Sequence, residues 1–110
     1  MIPKVGASWE GFVIEQVLAT EPHDKVFFSA THQGAEIDLI LRRADTFMGV
    51  ESKRADSPRM TPSIRHALAD LGLRRVVVIY PGNKRFPLGE KVEAFPLSFL
   101  AAGQPIFEEN

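Results

Sequence analysis

Apolar side chains recur at helical spacing near the start of the chain. Residues 8–20 carry Trp, Phe, Val, Ile and Leu three or four positions apart, which is the period of a helix with one buried face. Ser8 is a suitable N-cap, and Pro22 follows the segment and stops it. The pattern therefore predicts a first helix over residues 8–20 that packs on a core.

The two glutamates of this helix have different predicted environments. On a helical projection, at about 100° per residue, Glu10 falls inside the apolar arc between Val17 and Ile14. Glu15 falls outside that arc, on the side that faces water. A carboxylate on a buried face is costly unless a metal or a hydrogen-bond donor compensates it. Glu10 is therefore the stronger candidate for a functional acid.

Short apolar stretches separated by turn residues follow this helix and predict a sheet. The predicted strands cover residues 25–29, 36–42, 46–53, 75–80 and 92–95, and later helices cover residues 62–71 and 97–101. Thr61 with Pro62 marks the start of the second helix and Gly72 its end. Residues 82–89 are interpreted as a connection between strands. The order α-β-β-β-α-β-β predicts an α/β fold with a central mixed sheet of four to five strands flanked by helices.

Length and composition limit what the chain can be. Its 110 residues fit one domain, which we place at residues 1–103, with a flexible tail over residues 104–110. The absence of Cys excludes disulfides, zinc–thiolate sites and cysteine nucleophiles. With no signal peptide and no apolar run near the roughly 18 residues of a membrane span, we predict a cytoplasmic protein without a membrane segment. The net charge of −1 gives no general attraction to nucleic acid, so any such binding depends on local basic clusters.

The candidate chemistry lies on the hairpin formed by the second and third predicted strands. If these strands pair around the link Ala44-Asp45, Asp38 lies opposite Glu51, and Lys53 lies on the same face as both acids. A link that is one residue longer or shorter would turn Asp38 away from Glu51. The other face of the hairpin is predicted to be apolar and to face a core, with Ile37, Leu39, Leu41, Met48 and Val50.

Two opposed carboxylates on neighbouring strands favour a cation between them. Directly opposed Cβ atoms are about 4.5–5.5 Å apart, and like charges there are destabilising. Mg²⁺ or Mn²⁺ is the natural counter-ion for Asp38 and Glu51, because hard cations prefer oxygen ligands. Glu10 and the backbone carbonyl of Ser52 would complete the ligand set, and Lys53 would orient a water or offset charge on a phosphorane.

A simpler interpretation of the same residues needs no metal. An Asp followed by Glu-x-Lys at this spacing also occurs by chance, and opposed carboxylates can splay into solvent. The spacing alone leaves both interpretations open, and the candidate metal site gains support mainly from Glu10 on the buried helix face.

The series Glu, then Asp, then Glu-x-Lys resembles the PD-(D/E)XK nuclease superfamily. Four segments in the same order look like the uncharacterised domain at the C-terminus of many bacterial and archaeal AAA-type ATPases; they are residues 9–16, 34–41, 51–54 and 78–82. The similarity covers nearly the whole chain, from about residue 6 to residue 101. One departure is Ala30, because the ATPase-associated family often carries an Arg shortly before the acidic strand.

This resemblance implies a restriction-endonuclease-like α/β sandwich and an ATPase module in cis or in trans. By position, it implies catalytic roles for Glu10, Asp38, Glu51 and Lys53. A Mg²⁺-dependent nuclease that hydrolyses phosphodiester bonds of DNA is then the first expected function. The second is a catalytically silent regulatory domain, or one that docks DNA or a partner, in an ATPase. The small size favours the second, since specific protein–DNA interfaces bury about 1,000–2,500 Å² of protein surface; a homodimer would enlarge that footprint.

Overall fold

A computed structural model describes residues 8–28 and 37–107, and the structural statements that follow refer to these residues. They form three helices and six strands. The helices are α1 (Ser8–Thr20), α2 (Pro62–Leu71) and α3 (Leu97–Ala101). The strands are β1 (Lys25–Phe28), β2 (Leu39–Arg43), β3 (Thr46–Ser52), β4 (Arg75–Tyr80), β5 (Phe86–Gly89) and β6 (Val92–Pro96).

The strands form one mixed sheet in the order β1-β2-β3-β4-β6-β5. The pairs β1–β2, β2–β3 and β5–β6 are antiparallel, whereas β3–β4 and β4–β6 are parallel. Parallel neighbours need a crossover connection, and α2 supplies it between β3 and β4. The prediction of a mixed α/β fold is confirmed.

The number of strands is higher than the four to five predicted, because the connection over residues 82–89 contains β5. β5 contains Pro87. A proline is tolerated at the edge of a sheet, where its missing N–H leaves no ladder bond unmade. β5 is an outer strand, and its register against β6 is irregular between Pro87 and Gly89.

An apolar core lies on each face of the sheet. α1 and α3 cover one face, and the buried residues there are Val13, Val17, Leu39, Leu41, Met48, Val50, Val77, Ile79, Phe95, Leu100, Ile106 and Phe107. α2 covers part of the other face, and the buried residues there are Ile37, Ile64, Ala67, Leu73, Val76, Val78 and Val92. The prediction that Ile37 shares a face with Leu39 is wrong. β2 begins only at Leu39, so the strand alternation does not extend back to Ile37.

The packed part of the chain extends beyond residue 103, where the sequence had predicted a flexible tail. Ile106 and Phe107 are 1% and 3% exposed and belong to the core under α1 and α3. The buried carboxylate of Glu21 accepts a hydrogen bond from the backbone N–H of Ile106 at 2.7 Å. Two apolar residues among polar ones gave too weak a sequence pattern to predict this docking.

The ends of α2 follow the predicted capping residues. Thr61 Oγ1 accepts a hydrogen bond from the N–H of Ile64 at 3.2 Å, and Pro62 is the first helical residue. Gly72 adopts the left-handed region with φ 62°, where a side chain would be strained. None of the described helices has the length and apolar character that crossing a membrane requires.

Candidate functional site

The hairpin that carries the candidate acids has the predicted register. β2 and β3 pair with Arg43 opposite Thr46 and Leu39 opposite Val50. The predicted register is not kept at Asp38: its N–H donates at 3.0 Å to the carbonyl of Val50, which is already the partner of Leu39, instead of Asp38 pairing with Glu51. Asp38 still lies at the end of β3 that carries the Glu-x-Lys sequence, because its carboxylate bonds to Ser52.

Ser52 orients the carboxylate of Asp38. Oδ2 of Asp38 accepts hydrogen bonds from the backbone N–H of Ser52 at 2.9 Å and from its Oγ at 2.7 Å. Bonds from a backbone N–H and a hydroxyl to a carboxylate are strong because the acceptor is charged. In an antiparallel pair, the N–H and C=O of one residue point to the same neighbour, so the carbonyl of Ser52 also faces the strand of Asp38.

Glu51 and Lys53 lie together beside this carboxylate. Glu51 is buried, with 5% of its surface exposed, and its Oε2 is 3.5 Å from Nζ of Lys53. The backbone N–H of Lys53 donates to the carbonyl of Ile79 at 2.9 Å, which ties the end of β3 to β4. The side chain of Lys53 is 36% exposed, so its ammonium group can meet a ligand from solvent. The predicted proximity of the Glu-x-Lys side chains is thus present.

The prediction that Glu10 lies on a buried helix face is wrong, because Glu10 is exposed. Val13 and Val17 are the fully buried residues of α1, and Trp9 in its first turn packs against the same core, but Glu10 does not. Burial therefore gives no support to a functional role for Glu10.

The first turn of α1 nevertheless lies near the end of β3. The guanidinium carbon of Arg54 is 5.8 Å from the centroid of the Trp9 ring, a distance typical of a cation–π contact. Arg54 follows Lys53 in the chain, and Trp9 precedes Glu10. This contact brings the backbone that carries Glu10 to the same end of the sheet as the Glu-x-Lys residues.

The metal ligands Glu10, Asp38, Glu51 and Ser52 remain a prediction. Within residues 8–28 and 37–107, no three acidic, histidine or cysteine side chains cluster closely enough to hold one ion. Glu36, which the predicted register sets opposite Lys53, lies outside the described residues. The oxygen atoms of Asp38, Glu51 and the Ser52 carbonyl are of the type that Mg²⁺ and Mn²⁺ prefer.

The sequence pattern did not indicate that the Ser52 hydroxyl bonds to Asp38, or that Glu21 and Glu93 are buried. A Ser between Glu and Lys on a strand carries no distinctive signal for a side-chain bond to an acid fourteen positions away in the chain. Glu21 next to a proline carried none either. Glu93 could have been suspected, because it stands among apolar residues of a predicted strand and the chain contains the basic pairs 74–75 and 84–85.

Glu93 shows what a purely structural acid looks like in this fold. It is 8% exposed and contacts Nη2 of Arg75 at 2.7 Å and Nε of Arg85 at 2.6 Å. Burial by itself raises the pKa of Glu93, but the hydrogen bonds and positive charges of Arg85 and Arg75 outweigh burial and hold this pKa below its ordinary value. Arg85 also stacks on Phe95, with its guanidinium carbon 4.9 Å from the ring centroid. These contacts of Glu93 connect β4, β6 and the segment before β5, and they do not include the Glu-x-Lys residues.

Comparisons with known proteins identify relatives without an assigned activity. A family model described as "Domain of unknown function (DUF4143)" matches residues 5–100. Uncharacterised proteins of Mycobacterium tuberculosis and Mycobacterium bovis are each 45% identical to the chain over 94 residues. The alignment covers 86% of this chain but 21% of each mycobacterial protein, so the chain spans about a fifth of their length. No solved structure matches the chain.

Proposed function

We propose that this chain, which belongs to the DUF4143 family, is a metal-dependent phosphodiesterase module of the PD-(D/E)XK type that acts on DNA. The observation that carries the proposal is the pair of hydrogen bonds from Ser52 to the carboxylate of Asp38. They keep Asp38 at the end of β3 where Glu51 is buried beside Lys53, with Nζ 3.5 Å from Oε2. An acid at a strand end followed by Glu-x-Lys on the paired strand is the arrangement that this class of site requires.

The fold belongs to the same proposal. A restriction-endonuclease-like sandwich is expected to have a mixed central sheet between helical layers. The six-stranded sheet, with α1 and α3 on one face and α2 on the other, supports that assignment. The antiparallel hairpin β2–β3 is followed by the parallel neighbour β4, which holds the end of β3 through the bond between Lys53 and Ile79.

Each residue of the candidate site would have its own role in hydrolysis of a phosphodiester bond. Ser52 holds the Asp38 carboxylate in one orientation, and Glu51 presents a second carboxylate from a largely dehydrated position. Oxygen donors of this kind suit Mg²⁺ or Mn²⁺, which when bound would supply an activated water and a counter-charge for the leaving oxygen. Lys53 has a partly exposed ammonium group that can stabilise negative charge on the phosphate or orient the attacking water.

The test is cleavage of a supercoiled plasmid and of single-stranded DNA with Mg²⁺ or Mn²⁺. Lys53→Ala and Asp38→Asn should each lower the rate by at least about 100-fold, the lower end of what a single charge-stabilising group contributes. Lys91→Ala is the matched control, because it removes an exposed lysine from the turn before β6. Cleavage that persists in Lys53→Ala, or that does not need a divalent ion, would refute the proposal.

A catalytically silent module is the second candidate, and two observations favour it. Glu10 is exposed, and in the described part of the chain no three acidic or histidine side chains lie close enough together to bind one metal ion. Isothermal titration with Mn²⁺ separates the two candidates when it is combined with the cleavage assay. Binding that disappears in Asp38→Asn, without cleavage of any DNA by the unmodified protein, would support a metal-binding domain that docks DNA or a partner.

The chain's place in a longer assembly is also a proposal. The mycobacterial relatives are much longer than the matched 94 residues, which are 21% of each of them. We propose that an ATPase module of the AAA type acts with this domain, in cis or in trans. The remaining sequence of these relatives should then contain a phosphate-binding G-x-x-x-x-G-K-[ST] loop. Its absence there would remove the support for an ATPase in cis.

A further inference from the structure

An apolar groove remains open on the α2 face of the sheet. It has a volume of about 300 Å³ and is lined by Phe27, Ile40, Phe47, Leu71 and Leu73. Phe27 and Leu71 are 40% and 46% exposed, although both side chains are large and apolar. An exposed patch of this kind marks an interaction surface more often than a scattered surface residue does.

The groove exists because α2 does not extend over the whole sheet. The buried side chains of α2, Ile64 and Ala67, pack with residues of β4 and β6. The β1–β2 side of the same face lies beyond the end of the helix at Leu71. There the register sets Phe27 opposite Ile40, and the ring centroids of Phe27 and Phe47 are 6.2 Å apart. The aromatic rings form one wall of the groove, and the last turn of α2 forms the other.

Three basic residues lie next to lining residues at the β1–β3 end of this groove. Lys25 is paired with Arg42, and Nζ of Lys25 is 5.9 Å from the centroid of the Phe27 ring. Arg42 is in turn paired with Phe47, and the backbone N–H of the exposed Arg74 donates to the carbonyl of Phe47 at 2.7 Å. Nε of Arg42 is buried and makes no hydrogen bond with any of the residues that the structure describes. The acid at this end, Asp24, donates its N–H to the carbonyl of Arg42, and its carboxylate accepts a hydrogen bond from the N–H of Ala44 in the β2–β3 turn. Basic residues therefore outnumber the acid at this end, or rim, of the groove.

The nearest acid of α2 does not neutralise the rim. Asp70 precedes Leu71 and lies about 100° from it around the helix axis, since successive helical residues turn by that angle. With Leu71 in the groove wall, Asp70 is directed to the side of α2 and is exposed.

We propose that this groove binds an acidic, amphipathic segment of a partner polypeptide. Its volume is at the lower limit of about 300 Å³ for ligand pockets and suits a few apolar side chains better than a cofactor. Carboxylates beside those apolar side chains would meet Lys25, Arg42 and Arg74, and this charge complementarity selects an acidic partner. The inference is independent of the phosphodiesterase proposal, because none of the Glu-x-Lys residues lines the groove.

Charge and shape disfavour two other occupants. A second copy of the chain would bring two basic rims together, and like charges across an interface are costly. Single-stranded nucleic acid needs flat aromatic faces on which its bases stack. Here the planes of Phe27 and Phe47 are tilted by 57°, and aliphatic side chains of Ile40, Leu71 and Leu73 make up the rest of the lining.

The test is a titration of the isotope-labelled protein, followed by nuclear magnetic resonance, with two short synthetic peptides. Both carry Leu and Phe three and four positions apart; one has Glu and the other Lys at the intervening positions. The acidic peptide should shift the signals of Phe27, Ile40 and Leu73, and the basic peptide should not. Equal binding of both peptides, or no shift with the acidic one, would overturn the proposal.

Two substitutions with matched controls locate the binding. Leu71→Ser should weaken binding of the acidic peptide about tenfold, whereas Phe12→Ser should not, although Phe12 is 44% and Leu71 46% exposed. Arg74→Glu should weaken it by a similar factor, whereas Lys84→Glu, at another exposed site, should not. Equal losses in a variant and its control would refute the proposed site. Displacement of the peptide by oligothymidylate, or self-association abolished by Leu71→Ser, would replace the proposed partner with nucleic acid or a second copy.

Discussion

Two buried glutamates of this fold are stabilised in different ways. Glu21 is held on both carboxylate oxygens, by Nη2 of Arg43 at 3.1 Å and by the N–H of Ile106 at 2.7 Å. Glu51 has Nζ of Lys53 at 3.5 Å from one oxygen. The side chain of Arg43 is 19% exposed and that of Lys53 is 36% exposed. The Lys53–Glu51 pair is therefore both longer and more exposed to solvent than the Arg43–Glu21 pair.

The difference separates a structural acid from a candidate functional one. Bonds from a guanidinium and a backbone N–H fix Glu21, and they connect the end of α1 to β2 and to the segment that contains Ile106. Lys53 beside Glu51 carries a compact ammonium group on a flexible stem, and this partly exposed group can move towards a ligand. A site that must bind charge gains from such a partner, at some expense of stability.

The largest expected effect is that of Glu21→Gln. The amide directs its NH₂ group towards either Arg43 or the N–H of Ile106, which leaves one buried donor without an acceptor. We expect the free energy of unfolding to fall by about 3 kcal/mol, the lower end for breaking a buried pair. Urea denaturation followed by the fluorescence of Trp9 measures it, with the exposed Glu15→Gln as the control. If both variants lose the same small amount of unfolding free energy, the contacts of Glu21 do not stabilise the fold.

The pH dependence of stability tests how Glu93, the third buried acid of the described residues, is stabilised. Its folded-state pKa is lowered, so its ionised form contributes stability above its ordinary value of 4.5, and this contribution is lost as the pH falls through the folded-state pKa. The slope from one such group is at most about 1.4 kcal/mol per pH unit. Glu93→Gln should flatten the dependence of unfolding free energy on pH below pH 4.5. An unchanged slope in this variant would mean that Arg75 and Arg85 do not stabilise the ionised form.

The hairpin register and the capped helix could be predicted because each rests on local sequence. A two-residue link fixes which residues of β2 and β3 oppose each other, and Thr61 with Gly72 limits α2. The exposure of Glu10 could not be predicted from its angular position. The helical projection gives the direction of a side chain but not how completely the sheet covers each turn of the helix.

Long-range partners were equally inaccessible from the sequence. Glu21 bonds to Ile106, which is 85 positions away in the chain, and no local pattern specifies that contact. The hydrogen bond from Ser52 to the Asp38 carboxylate could not be predicted either. Strand pairing predicted that the two residues lie close together, but not that the Ser52 hydroxyl donates to this carboxylate. Pairing of strands could be read from the pattern, whereas the choice of individual hydrogen bonds depends on the packed structure.

A smaller effect is expected from Ser52→Ala at the Glu-x-Lys end of β3. The variant loses the bond from Oγ to Asp38 and keeps the bond from the backbone N–H. The free energy of unfolding should fall by about 1 kcal/mol, as for a typical side-chain hydrogen bond. Ser57→Ala, in an exposed loop, is the control for loss of a hydroxyl. If Ser52→Ala lowers the free energy of unfolding as much as Glu21→Gln does, the Asp38–Ser52 bond has a mainly structural role.

The smallest effect on stability, and the sharpest test of the comparison, is that of Glu51→Gln. The amide keeps the volume of the side chain and removes a charge whose burial is costly, which offsets loss of the ion pair with a partly exposed lysine. We expect the free energy of unfolding to change by less than about 1 kcal/mol. The midpoint of thermal unfolding of the unmodified protein should rise with added Mn²⁺, since a ligand of the native state stabilises it, and the variant should not respond. If instead Glu51→Gln costs as much as Glu21→Gln, and Mn²⁺ stabilises neither the unmodified protein nor the variant, then Glu51 is a structural acid like Glu21 and Glu93, and the candidate site loses its central ligand.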